Sequence, residues 1–121
     1  MNSKKIVIVD DDTAILDSLS VMLDFEGFDV NAFERGSEIF SFVESVSKPD
    51  LIMLDIWLSG EDGRDICKKL KENELTKNIP VVMMSAGRGL ENTAYNSGAS
   101  AFIAKPFELD EVVDKLNQLT S

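Results

Sequence analysis

Short apolar runs alternate along this chain with longer stretches in which apolar residues recur every three or four positions. The runs predict strands over residues 5–9, 28–33, 51–54, 81–84 and 101–104. Apolar residues at helical spacing follow each run, over residues 14–23, 39–43, 66–70, 90–97 and 109–119. A strand followed by a helix, five times over and with short connections, predicts an α/β fold: a parallel sheet with helices on both faces.

Three features refine this pattern. The helix over 90–97 is rich in Asn, Thr and Ser, which favour turns and caps, so we expect it to be the weakest helix. A loop is predicted over 57–63, where the sequence is WLSGEDG. Cys67 lies at helical spacing with Ile66 and Leu70, so a buried thiol is expected rather than a redox sensor.

Acidic, hydroxyl and basic side chains follow four of the predicted strands, at the point where each strand ends. In chain order they are Asp10, Asp11, Asp12, Asp55, Ser85 and Lys105. Because ligands of parallel sheets lie beyond the carboxyl ends of the strands, we expect these groups to converge on one edge. Crowded carboxylates repel one another, and a hard divalent cation such as Mg²⁺ relieves that repulsion. An aspartate in such a site can attack phosphorus, while a lysine and a hydroxyl bind the phosphoryl oxygens.

Each residue has an ordinary explanation when it is taken alone. Asp12 is expected to be the N-cap of the first helix. Asp55 would be a loop residue, Ser85 a capping serine and Lys105 a solvated lysine. Their joint occurrence at four strand ends favours the functional interpretation.

Composition excludes several other classes of function. The chain has 121 residues, a net charge of −10 and a pI near 4.3, so it repels nucleic acid and anionic membranes in the absence of a basic patch. It has no histidine, which excludes catalytic triads and histidine-zinc sites. A single cysteine, no apolar run of membrane-spanning length and no signal peptide predict a single soluble domain in the cytoplasm.

Four motifs together resemble the receiver domain of two-component response regulators, over essentially residues 1–121. They are IVIVDDD, LIMLDIWLSGEDG, VVMMSAG and GASAFIAKPF, and they occur in the order and at the spacing of that family. The resemblance implies a flavodoxin-like (βα)5 three-layer sandwich, with a five-stranded parallel sheet in the strand order 2-1-3-4-5.

The resemblance also implies a role for each acidic residue. Asp55 is the phosphoacceptor, and the cofactor is Mg²⁺. Asp11 and Asp55 ligate the metal directly, Asp10 acts through water, and the backbone carbonyl of Trp57 is a further ligand.

Four other residues take roles from the same resemblance. Lys105 contacts the phosphoryl group, and its peptide bond to Pro106 is cis. Ser85 is the switch hydroxyl, which moves toward the new phosphoryl oxygens. Phe102 is the switch aromatic, which turns into the space vacated.

The implied partners are those of a signalling switch without a separate turnover substrate. The phosphoryl donor is a phosphohistidine on a histidine kinase or a histidine phosphotransfer protein. A downstream effector, not identified by the sequence, reads the face made by the fourth helix, fifth strand and fifth helix, and a homodimer through that face is a further implied partner. No direct binding to nucleic acid or membrane is expected, and self-phosphorylation with slow autodephosphorylation is the chemistry implied.

Two residues depart from the usual pattern near the phosphoacceptor. The family often has proline four residues after it, where this chain has Ser59, and a looser loop is expected there. Trp57, two residues after Asp55, is either an exposed aromatic of no consequence or a wall that changes water access to the acyl phosphate.

Two alternatives remain from other classes. Asp10 and Asp12 form the D-x-D start of a haloacid-dehalogenase-type phosphatase, although Ala14 replaces the expected residue and no later acidic pair follows a fourth strand. A flavodoxin-like cofactor carrier would need a hydroxyl-rich loop after the first strand, where this chain has three acids.

Overall fold

A five-stranded parallel sheet forms the centre of the molecule. The computed structural model describes residues 3–45 and 47–120. The sheet strands are β1 (Lys5–Val9), β2 (Asp29–Phe33), β3 (Leu51–Asp55), β6 (Val81–Ser85) and β7 (Ala101–Ala104). Their order is β2-β1-β3-β6-β7, and every pairing is parallel. Counted in chain order, this is the predicted order 2-1-3-4-5 of the flavodoxin-like fold.

Helices cover both faces of the sheet. They are α1 (Thr13–Phe25), α2 (Ser37–Ser45), α3 (Gly63–Glu72), α4 (Glu91–Asn96) and α5 (Leu109–Thr120). Leu16 and Leu19 of α1 pack with Leu116 of α5 in one core cluster, whereas Ile39 of α2 and Ile66 of α3 belong to the other. The predicted three-layer sandwich is therefore confirmed.

The core strands alternate their side chains between the two faces. Ile6 and Ile8 pack in the cluster with α1 and α5, and Val7 and Val9 pack in the cluster with α2 and α3. All five residues of β3 are buried, as are all five of β6. Strands buried on both faces account for the continuous apolar runs in the sequence.

The residues 57–62 form a hairpin where the sequence predicted a loop, and that prediction was wrong. Strand β4 (Trp57–Leu58) pairs antiparallel with β5 (Glu61–Asp62). Gly60 in the turn has φ of 74°, which glycine adopts without the strain of other residues. Two-residue strands are too short to produce a periodic pattern, so the sequence gives no sign of them.

The hairpin returns closely onto the end of β3. The backbone N–H of Gly63 donates to the carbonyl of Ile56 at 2.7 Å. A Cβ at position 63 would collide with the backbone carbonyl of Asp55, so only glycine permits this approach. The hairpin, referred to below as the 57–62 hairpin, is thereby fixed beside the candidate phosphoacceptor.

Within residues 3–45 and 47–120, no helix combines the length and the apolar character that are needed to span a bilayer.

Candidate functional site

Three carboxylates meet at the carboxyl edge of the sheet. Asp10 follows β1 and Asp55 ends β3, and the register pairs Val9 with Leu54, so the two acids lie on neighbouring strand ends. One carboxylate oxygen from each of Asp10, Asp11 and Asp55 lies within 4.8 Å of the others. Asp10 and Asp55 are buried, and Asp11 lies nearer to solvent. The convergence expected from the strand pattern is therefore present.

Lys105 lies against two of these carboxylates. Its Nζ is 2.7 Å from Oδ2 of Asp10 and 3.3 Å from Oδ2 of Asp55. Burial disfavours the charged ammonium, but the hydrogen bond and charge of Asp10, aided by Asp55, raise the pKa of Lys105 above its ordinary value. The lysine therefore remains a cation at neutral pH and is held where it partly neutralises the acid cluster.

The backbone around Lys105 is set by β6 and by a proline. The N–H of Lys105 donates to the carbonyl of Ser85 at 2.9 Å, which continues the β6–β7 pairing one residue past β7. The peptide bond between Lys105 and Pro106 is cis. The bond to Ser85 places Lys105 beside the carboxyl end of β6.

Asp55 is a carboxylate in an environment that resists its ionisation. Burial raises its pKa, the neighbouring Asp10 charge raises it further, and Lys105 opposes both, so that the pKa of Asp55 lies at about 6 against an ordinary 3.8. A cation added to the cluster would favour the ionised form. Binding of a metal by this cluster and ionisation of Asp55 would therefore favour each other.

Ser85 and Phe102 lie on the neighbouring strands of the same sheet. Ser85 ends β6, is buried, and its Oγ accepts a hydrogen bond from the N–H of Gly87 at 3.0 Å. Phe102 on β7 is half-buried and packs against the cluster that includes α2 and α3. A Cβ added at Gly87 would approach the Ser85 hydroxyl at 3.4 Å, so the loop after β6 passes close to it.

The 57–62 hairpin forms the other wall of the site. Oγ of Ser59 donates to Oδ2 of Asp11 at 2.7 Å. Trp57 is 51% exposed, and the Arg64 guanidinium lies 4.8 Å from its ring centroid, a cation–π geometry. Ser59 thus has a defined partner in the site, which differs from the looser loop expected from the missing proline.

Arg64, near the start of α3, joins this wall to α4. It forms an ion pair with Asp62 at 2.7 Å, and its Nη1 donates to Oγ1 of Thr93 on α4 at 3.4 Å. The hydrogen bond from Arg64 lowers the pKa of Asp62. The Ser59–Asp11 and Arg64–Thr93 contacts were not predicted, because each joins residues far apart in the chain, and the missing proline was the only signal at position 59.

A polar cleft opens beside Asp11. Its volume is about 440 Å³, and it is lined by Asp11, Glu34, Arg35, Ser37, Ser59, Gly60 and Glu61. The Glu61 carboxylate accepts from the N–H of Gly36 at 2.8 Å, which ties the hairpin to the residues before α2. The Asp11 carboxylate is therefore reachable from solvent through this cleft.

Asp12 caps a helix, whereas Asp10 and Asp11 belong to the carboxylate cluster. Its carboxylate accepts hydrogen bonds from the N–H groups of Ala14 and Ile15, so it is the N-cap of α1, as predicted. A D-x-D phosphatase site would need the carboxylates of Asp10 and Asp12 together. The haloacid-dehalogenase alternative therefore has no support from the geometry.

The oxygen donors suit a hard divalent cation. Three carboxylates in a small space, with no thiolate or imidazole among them, match the preference of Mg²⁺ for oxygen ligands. The acidic cluster can hold such a metal, and Lys105 provides a cation next to it.

Comparison with known proteins assigns the family. The response regulator receiver domain family matches residues 6–117, and the chain belongs to this family. The DNA-binding dual master transcriptional regulator RpaA of Synechocystis sp. is 35% identical over 117 residues, which cover 95% of this chain and 48% of RpaA. The chain thus spans about half the length of the curated relatives it matches.

Solved structures agree with this assignment. A response regulator receiver domain protein from Methanospirillum hungatei is 33% identical with a TM-score of 0.87, covering 97% of this chain and 93% of that one. A two-component response regulator from Clostridium difficile is 29% identical, also with a TM-score of 0.87, covering 97% and 95%. The fold inferred from the strand pattern is the fold of these receivers.

Proposed function

We propose that this chain is a phosphoryl-accepting signalling receiver in which Asp55 is the phosphoacceptor. The observation that carries the proposal is that the buried Asp55 carboxylate clusters with those of Asp10 and Asp11 and lies 3.3 Å from the ammonium of Lys105. Membership of the receiver family supports the same role. The chain acts as a switch whose chemistry is its own phosphorylation and slow dephosphorylation.

The metal is proposed to be Mg²⁺. Asp10, Asp11 and Asp55 would hold it, together with the backbone carbonyl of Trp57. When bound, the ion neutralises the carboxylates and the phosphoryl oxygens, which would otherwise repel each other.

The chain's own residues then perform the transfer. An ionised Asp55 oxygen attacks phosphorus, the bond from phosphorus to the donor nitrogen breaks, and the electron pair leaves with the donor imidazole, which takes up a proton. Lys105, now freed from part of its carboxylate pairing, binds a phosphoryl oxygen. Ser85 donates its hydroxyl to another oxygen. The product is an acyl phosphate on Asp55.

Ser85 and Phe102 are proposed to transmit the change. The phosphoryl group adds nearly two negative charges and three acceptor oxygens, which favour the state in which the Ser85 hydroxyl faces them. The Ser85 hydroxyl can donate to a phosphoryl oxygen while its oxygen still accepts from the Gly87 N–H, so the loop after β6 is proposed to follow Ser85. Phe102, which is half-buried, is proposed to turn into the space that Ser85 vacates.

The partners follow from the chemistry of the site. The donor is proposed to be a phosphohistidine on a histidine kinase or a histidine phosphotransfer protein, which membership of the receiver family supports. The surface made by α4, β7 and α5 is proposed to bind the downstream effector or a second copy of the chain. The cytoplasm, where such donors act, is the proposed location.

Incubation with acetyl phosphate and MgCl₂, followed by intact-mass measurement, tests the proposal. The wild type is expected to gain one phosphoryl group, and Asp55→Asn none. Asp24→Asn, at an exposed position on α1, is the matched control and is expected to behave as wild type. Metal dependence is checked with EDTA, which is expected to abolish the reaction.

A different result would favour the phosphatase alternative. That enzyme would turn over a phosphate ester steadily, and it would lose activity in Asp10→Asn but retain it in Asp55→Asn. Observation of that pattern would overturn the receiver proposal.

A further inference from the structure

A hydroxyl on the 57–62 hairpin contacts one of the three clustered carboxylates. Oγ of Ser59 donates to Oδ2 of Asp11 at 2.7 Å, across 48 positions of sequence. A hydroxyl-to-carboxylate bond of this length falls in the range of short, charge-assisted hydrogen bonds. It differs from a helix cap or turn contact, because it joins the loop after β1 to the tip of the hairpin.

Asp11 has a different side-chain partner from the other two acids of the cluster. Lys105 forms ion pairs with Asp10 and Asp55. In the part of the chain that the structure describes, the hydrogen bond to the side chain of Asp11 comes from Ser59. Asp11 is also the member nearest to solvent, where a free carboxylate would sample several rotamers.

The hydrogen bond leaves Asp11 able to bind a cation. It occupies one lone pair of Oδ2, and a carboxylate has about four lone-pair sites on its two oxygens. One oxygen of Asp11 lies within 4.8 Å of oxygens of Asp10 and Asp55, the spacing that a shared metal requires. Ser59 therefore orients the ligand without consuming it.

The backbone gives Ser59 a defined position. Leu58 pairs with Glu61, so Ser59 and Gly60 form the two-residue turn of the hairpin. The same hairpin begins with Trp57, whose carbonyl is a proposed ligand, and Gly63 fixes its base against Asp55. One hydrogen bond thus fixes the hairpin relative to Asp11, and with it two of the proposed ligand positions.

We infer that Ser59 is a positioning residue for the divalent cation, acting through its hydrogen bond to Asp11. The inference rests on the proposed function, since it assumes that the cluster binds Mg²⁺. Partners that orient a metal ligand typically contribute a factor of about 10–100 to metal affinity. Proline, the residue common at this position in the receiver family, has no hydroxyl and could not make this contact.

An NMR titration with MgCl₂ tests the inference. The dissociation constant is obtained from amide shifts in ¹⁵N-labelled full chain, for wild type, Ser59→Ala and Ser59→Thr. We expect Ser59→Ala to bind Mg²⁺ about tenfold more weakly, at the lower end of the range for such partners. Ser59→Thr keeps the hydroxyl and is expected to bind close to wild type.

Two controls separate positioning from folding. Ser100→Ala removes an exposed serine just before β7, at the opposite edge of the sheet, and is expected to leave Mg²⁺ affinity unchanged. Thermal unfolding of each variant in EDTA reports stability without metal. A Ser59→Ala protein that melts earlier in EDTA but binds Mg²⁺ as tightly as wild type would overturn the inference, because that is the result of a purely structural role.

The remaining outcomes distinguish this inference from the proposed function. If wild type binds Mg²⁺ and accepts a phosphoryl group while Ser59→Ala binds equally or more tightly, the inference alone is wrong. If wild type shows neither metal-dependent shifts nor phosphorylation, the proposed function fails and the inference fails with it. If Ser59→Thr is as weak as Ser59→Ala, the hydroxyl is not the group responsible, which also contradicts the inference.

Discussion

At the scale of single residues, Asp55 shows a conflict between function and stability. The residue is 6% exposed and lies beside Asp10, and its pKa of about 6 shows that the folded protein resists its ionisation. An arrangement chosen for stability alone would not place these acids together. The proposed Mg²⁺ site accounts for this cost, because a cation would relieve the repulsion between the acids.

The first prediction concerns the stability of Asp55→Asn without metal. Because the pKa of Asp55 is raised from 3.8 to about 6, the folded state keeps a proton that the unfolded state has already lost, so this group lowers stability as pH rises through that window. The amide does not titrate. In EDTA at pH 7.5, Asp55→Asn should therefore be more stable than wild type, by about 1–3 kcal/mol.

Urea unfolding at several pH values measures the effect. The advantage of Asp55→Asn should shrink between pH 6 and pH 4, where wild-type Asp55 is protonated in the fold. Asp24→Asn, exposed on α1, controls for the loss of one negative charge. An advantage that does not change with pH would contradict the assignment of the raised pKa to Asp55.

The second prediction concerns the pH dependence of metal binding. A proton on Asp55 competes with the cation, because a carboxylate ligand must be ionised. Mg²⁺ affinity should therefore be nearly constant above the pKa of about 6 and fall as pH drops below it. Trp57, the one tryptophan and two residues from Asp55, serves as the fluorescent reporter. Affinity that stays constant down to pH 4.5 would be incompatible with this competition.

The sequence predicted some residues at this scale and missed others for physical reasons. Asp12 as a cap and Cys67 as a buried thiol follow from local position and helical spacing, and both are confirmed. The hydrogen bonds of Ser59 to Asp11 and of Arg64 to Thr93 join segments that are far apart in the chain. Contacts of this kind have no periodic signature, so only coordinates reveal them.

At the scale of elements, α1 and α4 differ in how they are stabilised. Helix α1 has 13 residues and a carboxylate cap, whereas α4 has 6 residues and its N-cap, Leu90, makes no side-chain hydrogen bond. Short helices with Asn and Thr gain little from intrinsic propensity. The Arg64–Thr93 contact is one of the few polar links between α4 and the rest of the fold.

The third prediction concerns the mobility of α4 before phosphorylation. Amide hydrogens of α4 should exchange with solvent faster than those in the middle of α1, because local opening costs less free energy there. Hydrogen–deuterium exchange with mass spectrometry measures both helices in one experiment. Equal protection of α4 and α1 would contradict this prediction, because it would show that α4 opens no more easily than α1.

The fourth prediction concerns the cap of α1. Asp12→Ala removes the acceptor for two backbone N–H groups and should lower the free energy of unfolding by about 1 kcal/mol, while Asp12→Ser retains most of it. Since Asp12 lies outside the carboxylate cluster, both variants should still be phosphorylated by acetyl phosphate. Loss of phosphorylation in a folded Asp12→Ser protein would assign Asp12 a direct chemical role.

The predicted elements differ from the observed ones where patterns are short. The strands at 5–9, 81–84 and 101–104 were located closely because buried parallel strands are apolar throughout. The 57–62 hairpin was missed because each of its strands has two residues. The 57–62 hairpin matters for the site because it contains both Ser59 and Trp57.

At the scale of the whole molecule, topology brings the site together. Residues 10, 55, 85 and 105 are distant in sequence, but parallel strands place all their carboxyl ends on one edge. The apolar pattern predicts this convergence, whereas the order of the strands came from the family resemblance alone. Strand order depends on crossovers that no local pattern encodes.

The most direct test of the claim that Asp55 is the phosphoacceptor is to identify which residue carries the phosphoryl group. Phosphorylated protein is treated with borohydride, which reduces an aspartyl phosphate to homoserine, and is then digested for peptide mass analysis. The account predicts homoserine at position 55 and at no other aspartate. Homoserine at Asp10 or Asp11, or none anywhere after proven phosphorylation, would contradict it.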